Sequence, residues 1–487
     1  MASPRTARTH KTRTENDSMG EMTVPSDALY GATTQRAVLN FPVSGRPIPP
    51  AMIHAFCLLK KACAEANGQL KKLDERRVRL ISRACQEIAA ALADENGSAT
   101  ASMMQQFPID IFQTGSGTST NMNVNEVIGN LAARTAGKPL GSRDPVHPND
   151  HVNMGQSSND TFPTAMQVAG ALTIKARLIP AVRRLARALH VKARRFDGIV
   201  KIGRTHLMDA TPIRLGQEFS GYAAQADYSV KRAERAMVRL AENLPIGGTA
   251  VGTGINTHPR FGRLVAGKLR KETGVKFAEA GNHFEAQATR DCVVEASGQL
   301  KTIAVALSKI ANDIRLLGSG PRCGLYELTL PATQPGSSIM PGKVNPVICE
   351  SVMQVACQVI GNDTAITLGA TGGIGSLLEL NVAMPMMAAN LLDSISLLAN
   401  VSTIFADRCI EGLKVNRSVA TGMVEKSLML GTSLVPQIGY DKAAEVVKGA
   451  FLSGKTVRQY VLKHKLLDPE QLDKLLDAAS MTEPKGT

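Results

Sequence analysis

Apolar residues recur at spacings of three and four along most of this chain. Val78, Ile81, Cys85, Ile88 and Leu92 keep that rhythm and predict an amphipathic helix stopped by Asn96-Gly97. Leu300, Ile303, Leu307, Ile310, Ile314 and Leu317 keep it within a run from about Phe284 to Leu317, roughly 50 Å if it is one continuous helix. Val347 to Ile360 and Met386 to Phe405 are apolar nearly all round, which predicts helices buried in a bundle or between subunits. From Val24 to Arg46, by contrast, Pro25, Gly31, Pro42 and Gly45 predict an irregular stretch. After Arg417 the pattern shortens to small amphipathic helices with breaks at Gly439-Tyr440 and Gly454-Lys455, the mark of a small C-terminal domain.

Composition agrees with helices. Aromatics are 4% of the 487 residues and Trp is absent, while Ala, Leu and Met are plentiful. Those residues lose little rotamer freedom in helices, whereas sheets lean on β-branched and aromatic side chains. The 44% hydrophobic and 20% charged content is that of a soluble globular protein with more than one core. No uninterrupted apolar run of bilayer length occurs, and the N-terminus lacks the apolar core of a secretory signal, so the expected location is cytoplasmic with no membrane partner. Met1 to Arg13 carries Arg5, Arg8, Lys11 and Arg13 without an acid and reads as a disordered basic tail. The eight cysteines contain no Cys-x-x-Cys pair, which argues against structural zinc or a disulfide framework and for free thiols.

The formal charge of +14 raises the question of an anionic partner. Its densest block, from Lys175 through Arg177, Arg183, Arg184, Arg187, Lys192 and Arg194 to Arg195, has helical apolar spacing and no interleaved aromatics. A solvated helix face accounts for it better than nucleic acid does.

Four polar clusters interrupt the helical pattern. Gly115 to Asn123 joins small residues to hydroxyls and amides ahead of a helix, which fits either a capping loop or an anion site. His147 to Asp160 holds almost no apolar side chain; its histidine pair suggests a metal, but Pro148 keeps a helix from presenting His147 and His151 together and no third ligand follows. Gly203 to Pro212 is a polar turn around His206, a structural histidine or an acid–base group. Gly336 to Pro346 carries Ser337, Ser338, Lys343 and Asn345 on a Gly- and Pro-punctuated loop with no acid beside the lysine, a set suited to gripping a carboxylate. Gly369 to Gly375 is a glycine-rich joint without nucleotide-binding spacing. This inventory of Thr, Ser, Asn, His and Lys could run a β-elimination next to a carboxylate.

Taken in order, Gly115 to Glu126, His147 to Thr164, Gly203 to Gln217, Gly247 to Asn256 and the Gly-Ser-Ser-x-Met-Pro-x-Lys-x-Asn block from Gly336 to Asn345 resemble the signature blocks of the fumarase/aspartase superfamily. Ser157-Ser158-Asn159-Asp160 and Asp209-Ala210-Thr211-Pro212 resemble the metal-free class II fumarases rather than aspartases. The resemblance implies an all-α, three-domain fold with a central long-helix bundle that forms a twenty-helix core in a homotetramer, each active site drawing on three subunits. On that pattern the chain divides into a mixed helical domain over 1–156 with the basic tail 1–13, a long-helix domain over 157–417 and a small helical domain over 418–487.

The resemblance further implies reversible hydration of fumarate to L-malate through an aci-carboxylate, without cofactor or metal. Ser337 would be the base, and His206 the acid arm acting through water and oriented by Glu350. Ser116, Thr118, Ser157, Ser158, Asn159, Thr205, Lys343 and Asn345 would bind the substrate carboxylates, and His147, Asn149 and Asp150 a second anion. Where the family often has a basic residue three before that histidine, this chain has Asp144, with Arg143 beside it. Aspartate ammonia-lyase activity is the alternative, and a non-catalytic helical scaffold a more distant one.

Overall fold

The computed structural model describes residues 11–94 and 97–484. Among these, helix dominates, and strands occur only as four short two-stranded antiparallel pairings. The fold class is all-α. The chain forms two compact units, one of Met1–Ile179, Arg232–Lys301 and Gln358–Leu397, the other of Pro180–Lys231, Thr302–Cys357 and Leu398–Thr487.

In the first unit, helix Pro50–Gln69 packs against helices Glu75–Ala91, Ser158–Thr173 and Phe261–Thr273. Its Met52, Ile53, Phe56 and Leu59 are fully buried, and Phe56 meets Phe162 edge-on at 5.8 Å. The predicted helix through Val78 runs Glu75–Ala91 because Asp74 caps it, accepting from the Arg77 N–H, and Ile81, Cys85 and Ile88 form its buried stripe. Asn96 lies outside the described residues, as do residues 1–10 of the basic tail.

Two expectations differ from the structure here. The end of the tail is not free: Thr12 and Arg13 begin strand Thr12–Asp17, and the Arg13 guanidinium pairs with Glu15 and donates to the carbonyls of Pro25, Ala28 and Tyr30. Within the stretch read as irregular, helix Ala32–Asn40 forms, and strand Gly20–Pro25 ends at the start of that stretch. That helix starts where the buried Glu126 carboxylate accepts from the N–H groups of Gly31, Thr33 and Thr34, a cap supplied from more than ninety positions away that no local pattern reveals.

The run from Phe284 to Leu317 is two helices, His283–Ala288 and Asp291–Leu317, because Thr289 turns extended and Asp291 starts a new helix. The longer piece spans roughly 40 Å at 1.5 Å per residue.

Asp160 is completely buried near the start of helix Ser158–Thr173. One oxygen accepts from Ser157 N–H at 2.9 Å, and the other from Gly247 and Thr249 N–H at 3.0 and 2.9 Å. Burial raises its carboxyl to about 6 against the downward pull of these donors.

In the second unit, strands Val200–Thr205 and Met208–Arg214 form a hairpin joined by His206 and Leu207. Ile202 enters a core made by Val424, Leu430, Leu434, Val446, Val457, Val461 and Leu472 of the small C-terminal helices. These helices do break at Gly439 and Gly454, both with positive φ. The fully buried Glu327 holds the hairpin from below, with Arg204 at 2.7 Å and Lys201 at 3.1 Å. Stretch Met384–Ile410 is long and apolar enough to span a bilayer by length and composition, but 61% of its most apolar window is buried inside the protein, as in a core helix.

Two outcomes follow from this packing. Glu327→Gln removes the buried counter-charge of Arg204 and leaves Lys201 with Glu218 at 3.4 Å, and should destabilise the protein by about 3–5 kcal/mol, read as an early transition in urea or thermal unfolding; an unchanged curve would show the clamp to be energetically idle. Asp160→Asn turns an amide N–H₂ toward backbone donors and should cost about 1–3 kcal/mol, with hydrogen exchange accelerating at the Gly247 and Thr249 amides.

Candidate active site

The predicted residues form three local groups. In the first unit, two helix N-termini meet. Gly117 caps helix Thr118–Thr135 with a left-handed φ of 74°, where an added Cβ would lie 1.9 Å from the Phe162 ring, so only glycine lets the loop turn this closely. The turn sets Ser116 Oγ 2.8 Å from Thr118 Oγ1, which lies 2.7 Å from Ser158 Oγ. Ser157 caps the second helix in a capping box with Asp160, and Asn159 donates to the Ala250 carbonyl at 2.8 Å. Three hydroxyls thus run in a chain between two helix starts, whose positive dipole ends favour an anion.

The second group surrounds His147. Its Nδ1 accepts from the N–H groups of Asn149 and Asp150, while its backbone N–H donates to His151 Nδ1 at 2.8 Å. Both histidines therefore cap the turn Pro148–Val152, and burial followed by the nearby Arg77 charge lowers the His151 pKa. A cavity of about 550 Å³ opens here, lined by Arg143, His147 and Asn149 together with Glu15, Asp17 and Glu126. Asp144 pairs with Lys138 at 3.1 Å, and it is the neighbouring Arg143 that lines the cavity.

The third group belongs to the second unit. Thr205 and His206 stand exposed at the hairpin tip, with Thr205 paired to Met208. His206 and Leu207 adopt φ of 58° and 62°, the left-handed pair of a two-residue hairpin loop, at a cost of roughly 1–2 kcal/mol per non-glycine residue. Such strain recurs at functional sites. On the loop from Gly336 to Pro346, Asn345 donates to the Gly336 carbonyl at 2.7 Å and Gly336 N–H to the Lys343 carbonyl at 2.8 Å, so the two ends are tied together. A Cβ on Gly336 would lie 2.3 Å from the Lys343 oxygen. Ser337 Oγ accepts from the N–H groups of Ile339 and Met340 at 3.2 and 3.0 Å. Ser337 and Lys343 line one open cleft of about 420 Å³. Glu350 sits in the first turn of helix Val347–Ala370.

Several residues around these groups carry weaker signals in the sequence. Arg143 stands out only as the neighbour of an unexpected aspartate. Asp160, Asn121 and Asn153 lie inside the polar clusters with nothing in the sequence to distinguish them. Lys60 carries a signal of another kind, a lysine on the apolar face of helix Pro50–Gln69.

Comparison with known proteins agrees along the whole chain. A family profile described as lyase matches residues 20–361, and one described as fumarase C C-terminus matches residues 430–483. A class II fumarate hydratase of Thermosynechococcus vestitus is 50% identical over 479 residues, covering 98% of this chain and 100% of that protein. One of Corynebacterium glutamicum is 51% identical over 475 residues, 96% of each. The crystal structure of class II fumarase from Schistosoma mansoni superposes with a TM-score of 0.92 at 39% identity, over 98% of this chain and 100% of that one. A cobalt-bound fumarate lyase:delta crystallin from Brucella melitensis gives 0.90 at 44% identity, over 97% and 100%. Sharing about half its residues with these hydratases from end to end, and carrying the hydroxyl, histidine and lysine groups on the elements just described, this chain belongs to the class II fumarase family of the lyases.

Proposed function

We propose that the protein interconverts fumarate and L-malate by anti addition and elimination of water, with Ser337 as the base. The observation that carries this reading is the setting of Ser337: two backbone N–H groups point at its oxygen and a lysine lines the same cleft. A serine hydroxyl is by itself too weak to take a proton from carbon. Donors aimed at Oγ stabilise the alkoxide more than the neutral alcohol, and the Lys343 ammonium adds a favourable field.

In the direction of elimination, the Ser337 alkoxide removes the C3 proton of malate. The electron pair moves into the adjacent carboxylate, giving an aci-carboxylate whose extra charge Lys343 and Asn345 hold. The C2 hydroxyl then leaves as water, protonated through a water held by His206, which Glu350 orients. Ser116, Thr118, Ser157, Ser158, Asn159 and Thr205 fix the carboxylates, the hydroxyl chain and two helix N-termini supporting that role. Because no step asks for a redox centre or a Lewis acid, the reading includes no cofactor or metal. His147, Asn149 and Asp150 form the second anion site, with Arg143 supplying the cation that Asp144 does not.

The reading also includes a homotetramer whose sites each combine residues of three subunits. Val305, Ile360 and Leu368, on the long helices, are 53%, 41% and 52% exposed in the single chain, apolar surface that a helical core between subunits would cover. The division at residues 156 and 417 belongs to it as well, supported by the change to short helices after Arg417. A cytoplasmic location fits eight free cysteines, five of them buried.

Purified protein should remove the ultraviolet absorbance of fumarate without added metal or nucleotide, and Ser337→Ala should lower kcat by about a thousandfold or more with the oligomer unchanged in size-exclusion chromatography. A variant retaining wild-type turnover would exclude Ser337 as base. Offered malate and aspartate side by side, the enzyme should dehydrate malate and release no ammonia; the opposite pattern identifies an aspartate ammonia-lyase. Lys343→Met, which keeps length and loses charge, should depress kcat/KM by about a hundredfold or more.

A further inference from the structure

Lys60 is fully buried on helix Pro50–Gln69, and its ammonium donates to two amide oxygens, Asn153 Oδ1 at 3.0 Å and Gln156 Oε1 at 2.9 Å. Among the described residues its bonded partners are these neutral amides, and the Asp160 carboxylate acts on it through space. Burial lowers its pKa to about 8, with Cys63, Asp160 and Cys85 pulling the other way. An ammonium in such a place opposes folding, and a methionine of the same length would fill the space without that penalty. What the lysine does provide is direction.

Asn153 Oδ1 is the hub. It accepts from Lys60 Nζ and also from Asn121 Nδ2 at 3.1 Å and Asn125 Nδ2 at 3.3 Å, three donors on one oxygen with Lys60 the charged and strongest. Asn121 lies one turn inside helix Thr118–Thr135, and its Oδ1 accepts from Thr161 Oγ1, one turn inside helix Ser158–Thr173. The single Thr161 hydroxyl proton is shared between Asn121 Oδ1 and the Ser157 carbonyl, the latter at 2.7 Å. Gln156, the second acceptor, directly precedes Ser157, and its Nε2 donates back to the Val152 carbonyl at 3.0 Å. The network therefore ties together the same two helix starts at which Thr118 and Ser158 meet.

We propose that Lys60 is a positioning residue for the carboxylate-binding hydroxyls: through Asn153 and Gln156 it sets the approach of Thr118 to Ser158 and so the geometry in which substrate is held. This rests on the fumarate hydration proposed above. Lys60 touches neither substrate nor the reacting atoms, so its removal alters binding more than the chemical step. A purely structural lysine would instead change the amount of folded enzyme, lowering apparent kcat and leaving KM alone.

The test is steady-state kinetics with fumarate and with malate for wild type, Lys60→Met and Asn153→Ala, together with thermal stabilisation by succinate as a non-reacting dicarboxylate. The expected result is a KM raised about tenfold with kcat within about threefold of wild type in both variants, and a matching rightward shift of the succinate titration. Asn153→Ala removes the hub from the loop side and decides the matter if Lys60→Met fails to fold. Wild-type KM in the folded variants, or a loss confined to kcat, overturns the positioning role while leaving the hydration reading intact. Wild type inert toward both substrates overturns that reading, and this inference with it.

Discussion

A carboxylate sealed from water has to find every partner inside the protein, and Asp160 does so by holding three backbone N–H groups from two separate segments. It caps its own helix through Ser157 and pins Gly247 and Thr249 with its other oxygen. Asn159 then reaches the Ala250 carbonyl from the adjacent position. Polar side chains are held on an apolar helical body most securely by such bonded supports, because each unpaired buried group opposes folding. Glu126 follows the same logic, its carboxylate starting helix Ala32–Asn40, whereas Glu327 holds the His206 hairpin by charge, through ion pairs to Lys201 and Arg204. Buried acids join the segments that carry chemistry to the frame, and the frame itself is held by hydrophobic packing.

The two sets of candidate residues differ in stiffness. The hydroxyls of Ser116, Thr118 and Ser158 sit at the starts of long helices and are cross-bonded, so their geometry is set before any ligand arrives. The Ser337 loop is bonded mainly to itself, with Ile339 at 83% exposure, and its principal ties run from Gly336 to Lys343 and Asn345. Under the proposed assignment, in which the hydroxyls bind carboxylates and Ser337 is the base, this difference suits a reaction that must admit a small dianion, exclude bulk water during proton removal and release product. His206 occupies a third regime, a strained tip on a firmly clamped hairpin.

Much of this was legible along the chain. The three-and-four rhythm of Ile81, Cys85 and Ile88 identified a helix because burial of one stripe is a local periodic property, and the polar clusters stood out because fourteen consecutive residues with almost no apolar side chain have no place in a core. Turn chemistry fared similarly, since Gly117 and Gly336 answer to backbone sterics that sequence reports directly. The helix at Ala32 and the break at Thr289 leave no local signature, for one reason. Each depends on a partner or a backbone choice that periodicity does not encode: a distant carboxylate in one case, and an extended threonine before an acidic helix start in the other.

By itself, then, the sequence determined helical class, the identity of the polar groups and the family they resemble, because composition, period and motif order are written residue by residue. Only the tertiary structure decided which hydroxyl meets which, that Arg143 and not Asp144 faces the cavity, that two N–H groups address Ser337, and that a lysine on an apolar helix face supports the loop before Ser157. Those are pairings across dozens of positions. They are selected by the requirement that buried polar atoms be satisfied, a condition set by the whole packed molecule and invisible in any window of its chain.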